Sequence, residues 1–477
     1  MERKNSWETY DENQLKELET LNQGYRNFLD QGKTERECVD QIVNTVEAAG
    51  YQELESLMKK GTALKAGDKI YSVWMNKSVV MFQIGNKPMA EGMNILGAHI
   101  DSPRLDIKQN PLYEEGGFAY MDTHYYGGVK KYQWVTLPLA IHGVVVKKDG
   151  TTIELNIGEN EDDPVFFVSD LLIHLSEEQM KKKASEVIEG EALDIIVGNR
   201  PIKVEKVKEE DKNADGKTEK VKEAVKAGIL DILKEQYDME EEDFVSAELE
   251  VVPAGAAREA GFDRSMNLAY GQDDRVCAYT SMQAMLDTPV TEKTMCCILV
   301  DKEEVGSIGA TGMRAKFFEN AVAEVMNLCG EYSELNVRRC LSRCSMLSSD
   351  VSSAYDPSFA GSFDKKNVAY SGGGMVFNKF TGSRGKSGSN DANAEYMAYI
   401  RNILDEKQIN YQTAELGRVD LGGGGTIAYI LALYGMNVID SGVAVMNMHA
   451  PWEATSKADV YEVYRGYKAF VEGLGMS

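Results

Sequence analysis

Two adjacent acidic residues, Glu303 and Glu304, stand between a short apolar run and a glycine-rich turn. The apolar run, residues 294–300, predicts a strand, and an amphipathic helix pattern follows the turn. In an α/β protein this order presents side chains at the carboxyl edge of a sheet, where ligands bind. One carboxylate there suits a metal ligand, and its neighbour suits a general base. The alternative is a solvated acidic turn, and the other ligand-type residues of the chain bear on that choice.

Other side chains able to bind a metal ion also stand at the ends of predicted elements. They are His99 and Asp101 after one strand, Asp273 and Asp274 at the start of a helix, Asp350 after another strand, and His449 after a further one. Taken singly, the histidines are compatible with core positions and the aspartates with helix caps or turns. Together, two histidines and several carboxylates suit a borderline cation such as zinc, and a pair of ions needs one bridging carboxylate. Their coincidence favours a metal site.

The sequence offers no competing catalytic motif. It has neither a Gly-x-Ser-x-Gly nucleophile elbow nor a complete phosphate-binding loop. The stretch Gly422–Gly425 precedes a predicted helix, but it lacks the glycine spacing and the downstream acid of a dinucleotide site. We therefore predict a tight turn there that lets the backbone approach a substrate.

Length, charge and cysteine usage bound the class of protein. A chain of 477 residues predicts two or three domains. Its 52 basic and 76 acidic side chains give a net charge of -24, which argues against nucleic acid or an anionic membrane as a partner. Seven scattered cysteines predict buried reduced thiols, and the N-terminus lacks the apolar core of a signal peptide. The longest apolar stretch, 426–439, is too short to span a bilayer. We therefore predict a cytoplasmic protein.

Hydrophobic periodicity predicts an α/β fold for most of the chain. Helices are predicted at 11–29 and 34–50, with Thr34 as a cap, and strands at 78–84 and 93–98. After Gly261, strands and helices alternate again to the C-terminus. Such alternation predicts a mostly parallel sheet sandwiched by helices.

A β-rich stretch interrupts this pattern. We predict that the α/β domain comprises residues 1–106 and 253–477, and that residues 107–252 form an inserted β-rich domain. Within the insertion, strand-like runs such as 133–139 are divided by turn signals. Residues 203–226 are mostly charged and have no apolar face, which predicts a flexible surface loop.

Part of that charged loop imitates a calcium-binding motif. Residues 211–216 copy its first half, with aspartate or asparagine at alternate positions and a glycine at the end. Where such a loop needs a bidentate glutamate, this chain has Lys222. A cation at that position disfavours calcium binding, so we predict a polar loop.

Five ordered segments resemble the aspartyl aminopeptidase family, which belongs to the dinuclear zinc metallo-aminopeptidases. They are residues 94–108 (NILGAHIDSPRLDIK), 270–281 (YGQDDRVCAYTS), 300–312 (VDKEEVGSIGATG), 348–357 (SSDVSSAYDP) and 445–453 (VMNMHAPWE). The β-rich insertion also stands where that family carries its second domain. The resemblance implies the metallo-aminopeptidase fold and an enzyme that removes the N-terminal residue from peptides.

The resemblance also implies two divalent metal ions in each subunit. Zn²⁺ is the first expectation, and Co²⁺ or Mn²⁺ also suit such ligands. Asp273 would bridge the two ions. His99 and Asp350 would complete one metal site. Glu304 and His449 would complete the other.

Three further residues receive roles from the same resemblance. The Asp101 carboxylate would hold the His99 ring through the nitrogen that faces away from the metal. Glu303 would be the general base, taking a proton from the attacking water and delivering it to the leaving amine. His174 of the inserted domain would reach into the site of a neighbouring subunit and stabilise the tetrahedral oxyanion. The family implies a homo-oligomer, a tetrahedral dodecamer built from dimers, which admits peptides.

Two departures from the family concern the substrate. The best-known acidic-substrate members have Asp-x-x-His-Ala-x-His-Pro after the ligand aspartate, whereas this chain has Ser353 and Asp356 at the histidine positions. Those members also have a lysine that receives the substrate carboxylate, where this chain has Asn378, with Lys379 one position later. Both differences leave the metal ligands intact, so we predict an acidic or a neutral N-terminal residue.

Two other functions remain open at this point. One is a non-catalytic cage or binding protein on the same fold, which the intact ligands and Glu303 disfavour. The other is a related metal-dependent deacylase or carboxypeptidase, because the metal ions alone do not decide which end of a peptide is recognised.

Overall fold

The structure, a computed structural model, describes residues 4–202, 222–382 and 388–473. Its helices are α1 (Glu12–Gln31), α2 (Glu35–Ala48), α3 (Leu54–Lys60), α4 (Ala224–Tyr237), α5 (Gln272–Leu286), α6 (Phe317–Leu328), α7 (Glu334–Ser342), α8 (Ala394–Glu406), α9 (Ala428–Ala432) and α10 (Lys457–Glu472). Its strands are β1 (Gln52–Glu53), β2 (Lys69–Trp74), β3 (Ser78–Gln83), β4 (Met93–His99), β5 (Arg104–Glu115), β6 (Phe118–Tyr126), β7 (Leu139–Val146), β8 (Thr152–Ile157), β9 (Phe167–Val168), β10 (Ile195–Gly198), β11 (Ala247–Pro253), β12 (Arg258–Ala260), β13 (Met266–Ala269), β14 (Thr294–Val300), β15 (Ser345–Ser349), β16 (Ser352–Ser353), β17 (Met375–Asn378), β18 (Tyr411–Thr413), β19 (Asn437–Gly442), β20 (Ala444–Met446) and β21 (Glu453–Ser456).

The chain forms two compact units. Unit 1 comprises Met1–Ser102 and Ala256–Ser477, and unit 2 comprises Pro103–Gly255. The domain boundaries predicted from the sequence fall a few residues inside unit 2. Among the described helices, none combines the length and the apolar character needed to cross a membrane.

Unit 1 is organised around a nine-stranded sheet in the order β1-β2-β3-β14-β4-β15-β19-β17-β18. The pairs β1–β2, β14–β4, β4–β15, β15–β19 and β17–β18 are parallel. The pairs β2–β3, β3–β14 and β17–β19 are antiparallel. The predicted mostly parallel sheet is therefore confirmed.

Helices cover both faces of this sheet. Successive side chains of β14 alternate between two hydrophobic clusters, as the pleat of a strand requires. One cluster contains Met295, Cys297 and Leu299 with residues of α1, α2, α5, α8 and α10, and the other contains Cys296, Ile298 and Val300 with residues of α3, α6, α7 and α9. The predicted helix–sheet–helix sandwich is confirmed. All seven cysteines are free thiols, and only Cys329 is not fully buried.

The first two helices begin and end close to where the sequence predicts them. The side chain of Thr34 accepts a hydrogen bond from the N–H of Glu37, and the Glu37 side chain accepts one from the N–H of Thr34. This capping box satisfies donors at the start of α2 that have no partner within the helix. Gly32 ends α1 just before it.

A smaller sheet of unit 1 carries a predicted ligand. It has five strands in the order β12-β13-β21-β20-β16. Strands β20 and β21 pair antiparallel, and His449 lies in the connection between them.

Unit 2 contains a seven-stranded sheet in the order β8-β7-β11-β5-β6-β10-β9, with antiparallel neighbours. The strand predicted at 133–139 is wrong, because β7 begins only at Leu139. Thr136 has a positive φ of 62°, and Pro138 has no backbone N–H. Neither residue fits a strand ladder, so the chain turns before β7 begins.

The charged loop predicted at 203–226 in unit 2 ends earlier than expected. Most of it, including residues 211–216, lies outside the described residues. Its last residues are helical, because α4 begins at Ala224 and the Val225 side chain is buried. The Glu114 carboxylate accepts hydrogen bonds from the N–H groups of Val225 and Lys226 at 2.7 and 3.0 Å. These contacts satisfy the free donors of the first helical turn.

Candidate metal centre

Neighbouring parallel strands bring the predicted ligands to one edge of the nine-stranded sheet. Strand β4 lies between β14 and β15, and His99 at its end pairs with Val300 at the end of β14. Glu303 and Glu304 follow β14, and Asp350 follows β15. Because the carboxyl ends of parallel neighbours meet at the same edge, residues far apart in the sequence become close in space.

Asp273 lies between the two predicted histidine ligands. Its Oδ1 is 3.3 Å from His99 Nε2, and its Oδ2 is 3.2 Å from His449 Nε2. The Asp273 side chain is only 3% exposed. Each carboxylate oxygen therefore faces a different histidine, which is the arrangement expected of a bridging ligand.

The two adjacent glutamates have different surroundings. Glu304 Oε2 is 3.5 Å from His449 Nε2, and the Glu304 side chain is 2% exposed. Glu303 Oε2 is 4.0 Å from His99 Nε2, and the Glu303 side chain is 15% exposed and lines a cavity. One glutamate is thus enclosed by the cluster, and the other faces the space that a substrate can enter.

Three overlapping groups of side chains have ligand atoms within 4.8 Å of one another, close enough to hold a metal ion. They are His99 with Glu303 and Asp350, His99 with Asp273 and Glu304, and Asp273 with Asp274 and Asp350. Within the described part of the chain, His99 Nε2, Asp273 Oδ1 and Glu304 Oε1 are buried and make no hydrogen bond. Buried polar atoms without partners are costly, and a coordinated cation removes that cost. Imidazole nitrogens with carboxylate oxygens are donors that fit zinc.

The burial and close spacing of the acidic side chains shift their pKa values. Burial raises the pKa of Glu304 and of Asp350 well above the ordinary values. Burial also raises the pKa of Glu303 to about 7, and the carboxylates of Asp101 and Asp273 add to that shift. The pKa of Asp273 is lowered, because its two histidine neighbours outweigh the effect of burial. So many carboxylates in a small volume favour bound protons or a cation, and a divalent ion favours the ionised forms.

The Asp101 carboxylate connects the end of β4 to the two glutamates. One of its oxygens accepts a hydrogen bond from the N–H of Glu303 at 3.1 Å, and the other accepts one from the N–H of Glu304 at 3.2 Å. His99 Nδ1 is 3.0 Å from the Asp101 backbone carbonyl and 3.3 Å from the carboxylate. The structure thus places Asp101 beside the far nitrogen of His99, and it adds an anchor for both glutamates that the sequence analysis missed.

Glu453 is a second positioning residue that the sequence analysis missed. Its Oε1 accepts a hydrogen bond from the N–H of His449 at 2.7 Å, and its Oε2 accepts one from the N–H of Asp273 at 3.0 Å. The side chain is buried, and burial raises the pKa of Glu453 to about 8. It ends the segment 445–453 that carries the family resemblance, which is the signal that could have found it.

The aspartates at the start of α5 do not cap the helix. Asp273 and Asp274 have non-helical backbone angles at a kink, and neither Asp273 Oδ1 nor either carboxylate oxygen of Asp274 makes a hydrogen bond in the described structure. The helix-cap alternative for Asp273 and Asp274 is therefore wrong. Both carboxylate oxygens of Asp274 are buried without a hydrogen bond in the described structure. Asp274 joins a candidate metal group with Asp273 and Asp350, in line with its place among the ligand types named from the sequence, although the family resemblance gave it no role.

A cavity of about 460 Å³ opens beside the cluster. Asp273, Glu303, Asp350 and His449 form part of its wall, and residues within 415–426 form much of the rest. A reacting peptide bond in this cavity would lie next to the candidate ligands and the predicted base.

The stretch Gly422–Gly425, where the sequence predicts a tight turn, is part of the cavity wall, but the hydrogen-bonded turn lies just before it, where the N–H groups of Leu421 and Gly422 donate to the Arg418 carbonyl. A Cβ atom on Gly422 would lie 1.7 Å from the Leu416 carbonyl oxygen, so only glycine fits that position. A Cβ atom on Gly425 would meet nothing within 4 Å. These glycines therefore present bare backbone to the cavity, and their close approach to a substrate stays a prediction.

The residues at the predicted substrate-binding position also lie near this cavity. Asn378 lines it, and the Asn378 Oδ1 accepts a hydrogen bond from Ser352 Oγ at 3.3 Å. Lys379 does not line it, and its Nζ lies 5.1 Å from the centroid of the Phe380 ring. Among the described lining residues there is no lysine or arginine that would receive a substrate carboxylate.

His174 is the predicted site residue that lies in unit 2. It belongs to a short helical turn, Ile173–Leu175, and its side chain is exposed. Its neighbours Leu172, Ile173 and Leu175 are 54%, 71% and 68% exposed. Exposed apolar side chains in such a group are typical of an interface with another chain. Among the described residues, the candidate metal groups do not include His174.

Comparison with known proteins gives a consistent assignment. The sequence matches the family described as "Aminopeptidase I zinc metalloprotease (M18)" over residues 28–471. A probable M18 family aminopeptidase 1 of Clostridium acetobutylicum is 60% identical over 470 residues, which cover 98% of this chain and 98% of that one. The crystal structure of an M18 aminopeptidase from Thermotoga maritima has a TM-score of 0.91 at 42% identity and covers 99% of this chain and 100% of that one.

A more distant relative shows the same fold. The structure of the Saccharomyces cerevisiae mApe1 dodecamer has a TM-score of 0.73 at 19% identity, and the match covers 94% of this chain and 95% of that one. The full-length relatives are named as aminopeptidases, which disfavours the deacylase, carboxypeptidase and non-catalytic alternatives. The chain belongs to the M18 family of zinc metalloproteases and is a metallo-aminopeptidase.

Proposed function

We propose that this aminopeptidase binds two divalent ions and removes the N-terminal residue of peptides with Glu303 as the general base. The observation that carries the proposal is the position of Asp273 between His99 and His449, with one oxygen facing each ring. Two ions about 3.5–4 Å apart need one shared carboxylate, and Asp273 is suited to that role.

The remaining ligands divide between the two ions. His99 and Asp350 would hold one ion, and Glu304 and His449 would hold the other. The family description favours zinc, and Co²⁺ or Mn²⁺ are the alternatives for these donors. When bound, the ions would polarise the scissile carbonyl and lower the pKa of the attacking water.

Glu303 is the carboxylate best placed to move the proton. It lines the cavity, whereas Glu304 is almost completely buried against His449. We expect Glu303 to take a proton from the attacking water and to deliver it to the amine that leaves. Asp101 would hold the backbone of both glutamates, and Glu453 would hold the backbone of Asp273 and His449.

The test is Glu303→Gln, which keeps the size of the side chain and removes its ability to accept the proton. We expect both ions to stay bound and kcat to fall by about 100- to 10,000-fold, the usual contribution of a general base. Glu395→Gln, at an exposed glutamate in the first turn of α8, is the matched control and should keep full activity. A Glu303→Gln enzyme with near-normal kcat would exclude the proposed base.

Unit 2 would join subunits, and His174 would complete the site of a neighbour by stabilising the oxyanion. The exposed apolar residues around His174 support this role, and so does the dodecamer of the yeast relative. A tetrahedral dodecamer built from dimers is the assembly we expect. In His174→Ala, kcat should fall while sedimentation and metal content stay unchanged. An unchanged kcat would remove His174 from the site.

The seven free thiols support a cytoplasmic location, because oxidising compartments favour disulfides. Cell fractionation would test this, and recovery of the protein from the medium or the membrane fraction would contradict it.

Of the two classes of N-terminal substrate residue predicted from the sequence, the neutral one fits the cavity better than the acidic one. Beyond the residues of the proposed metal centre, the described lining offers the Glu415 carboxylate and no lysine or arginine to an acidic side chain.

A further inference from the structure

One carboxylate of the cavity wall, that of Glu415, stands outside the metal cluster. Asp273, Glu303 and Asp350 also line the cavity, and they belong to the candidate metal groups. Glu415 belongs to none of those groups within the described residues. Its carboxylate is therefore available for a part of the substrate other than the atoms at the scissile bond.

The backbone around Glu415 is held on both sides. Glu415 follows β18, where the N–H of Ala414 donates to the Phe377 carbonyl at 2.9 Å. The N–H of Glu415 donates to the Asn367 carbonyl at 2.7 Å. At the next residue, the carbonyl of Leu416 packs closely against the backbone of Gly422. These contacts fix the backbone from which the Glu415 side chain extends, which limits the backbone entropy lost on binding.

Two cations in the described part of the chain near Glu415 make other contacts. Lys379 lies against the ring of Phe380. Arg418, three residues after Glu415, is exposed and donates a hydrogen bond from Nη1 to the Gly361 carbonyl at 3.1 Å. Asp273, Glu303 and Asp350 belong to the proposed metal centre, where bound cations would offset their charge, so Glu415 is the carboxylate of the described lining that remains to attract a positively charged group.

Apolar side chains line the same cavity. Phe380, Leu416, Val419 and Met448 are among its lining residues. Lysine and arginine combine a long apolar stem with a charged end, so they match an apolar wall with one carboxylate. A volume of about 460 Å³ is sufficient for such a side chain.

We propose that Glu415 binds the cationic end of an N-terminal lysine or arginine, so that the enzyme prefers peptides with a basic first residue. The inference rests on the proposed aminopeptidase site and adds its substrate class. The neutral residue favoured above remains a substrate, and the acidic residue becomes the poorest one, because its side chain would face the Glu415 carboxylate.

The experiment compares aminoacyl p-nitroanilides on the zinc-loaded, full-length enzyme. In the wild type, kcat/KM should be higher for lysine and arginine than for leucine, and lowest for aspartate. Arginine should exceed citrulline, a neutral analogue of nearly the same shape, by about tenfold or more, as expected for a hydrogen bond between charged groups. Equal values for arginine and citrulline, or a preference for aspartate, would overturn the proposal.

The matched variants are Glu415→Gln and Asp420→Asn. Glu415→Gln should lower the ratio of kcat/KM for arginine to that for leucine by about tenfold or more. Asp420 is an exposed residue of the same loop and is not in the cavity wall, so Asp420→Asn should keep the wild-type ratio. If the arginine-to-leucine ratio of kcat/KM is unchanged in Glu415→Gln, the assignment is refuted. This includes the result in which kcat/KM falls equally for all substrates, as it would if Glu415 bound the α-ammonium group. If the proposed aminopeptidase function itself were wrong, the result would be different, because the zinc-loaded wild type would then cleave none of the substrates.

Discussion

Two regions of unit 1 that contain buried carboxylates differ in their hydrogen bonding. On α10, one oxygen of Asp459 accepts a hydrogen bond from the N–H of Gly372 at 2.8 Å, and the other accepts one from the N–H of Gly374 at 2.7 Å. In the metal cluster, neither oxygen of Asp274 has a hydrogen bond among the described residues, and Glu304 Oε1 has none. The first region is complete within the protein, and the second is not.

The pKa values do not separate these regions. Burial raises the pKa of Asp459 to about 7, the same value that burial gives to Glu303. A raised pKa therefore reports burial in both places. The metal region is distinguished because partnerless oxygens of Asp273, Asp274 and Glu304 lie within one cluster of ligand-type side chains, and a native fold seldom leaves buried carboxylate oxygens without partners.

The largest expected effect comes from removing the shared ligand. Asp273→Ala should abolish binding of the metal pair and lower kcat/KM by on the order of 10,000-fold, the size of loss seen when a central catalytic element is removed. Steady-state kinetics with metal analysis of the purified variant would measure this. A variant that keeps a tenth of the activity would mean that Asp273 is not the bridge.

An intermediate effect is expected from the positioning residue Asp101. Asp101→Asn replaces one acceptor oxygen by a donor, so the N–H groups of Glu303 and Glu304 cannot both keep their partner. We expect a loss of about 10- to 100-fold in zinc affinity or in kcat, as is usual for residues that hold metal ligands. Zinc competition with a chelator and kinetics would check both quantities. Wild-type values for both would leave Asp101 without this role.

The smallest effect on activity is expected at Asp459. Asp459→Ala leaves two buried N–H groups without an acceptor, which should lower the free energy of unfolding by about 2 to 5 kcal/mol. Zinc content and kcat/KM of the folded enzyme should match the wild type. Chemical denaturation followed by spectroscopy would measure the stability. Loss of zinc from a folded Asp459→Ala enzyme would break the distinction between the two carboxylate regions.

Much of the site could be predicted from sequence because its ligands stand at the ends of strands and helices. His99, Glu304 and Asp350 follow strands that are parallel neighbours, so strand prediction alone places them at one edge of the sheet. The positioning roles of Asp101 and Glu453 were harder to predict, because these side chains accept hydrogen bonds from backbone N–H groups. Such contacts depend on the conformation of the turns, which side-chain types do not reveal.

The α/β sandwich was predictable for a similar reason, and unit 2 was less so. Strands such as β14 pack against a hydrophobic cluster on each face, and the continuous apolar run in their sequence indicates this. In unit 2, the run 133–139 has strand-like composition, but Thr136 and Pro138 interrupt the ladder. Helix α4 was hidden because its start adjoins a highly charged stretch. The place of Glu415 depends on a loop that closes on itself, and no local pattern indicates that.

The most direct measurement is a calorimetric titration of the metal-free enzyme with Zn²⁺. We expect two equivalents of zinc per chain in the wild type and in Asp459→Ala, with the metal pair lost in Asp273→Ala. A single equivalent in the wild type, or two equivalents that persist in Asp273→Ala, would contradict a pair of ions bridged by Asp273.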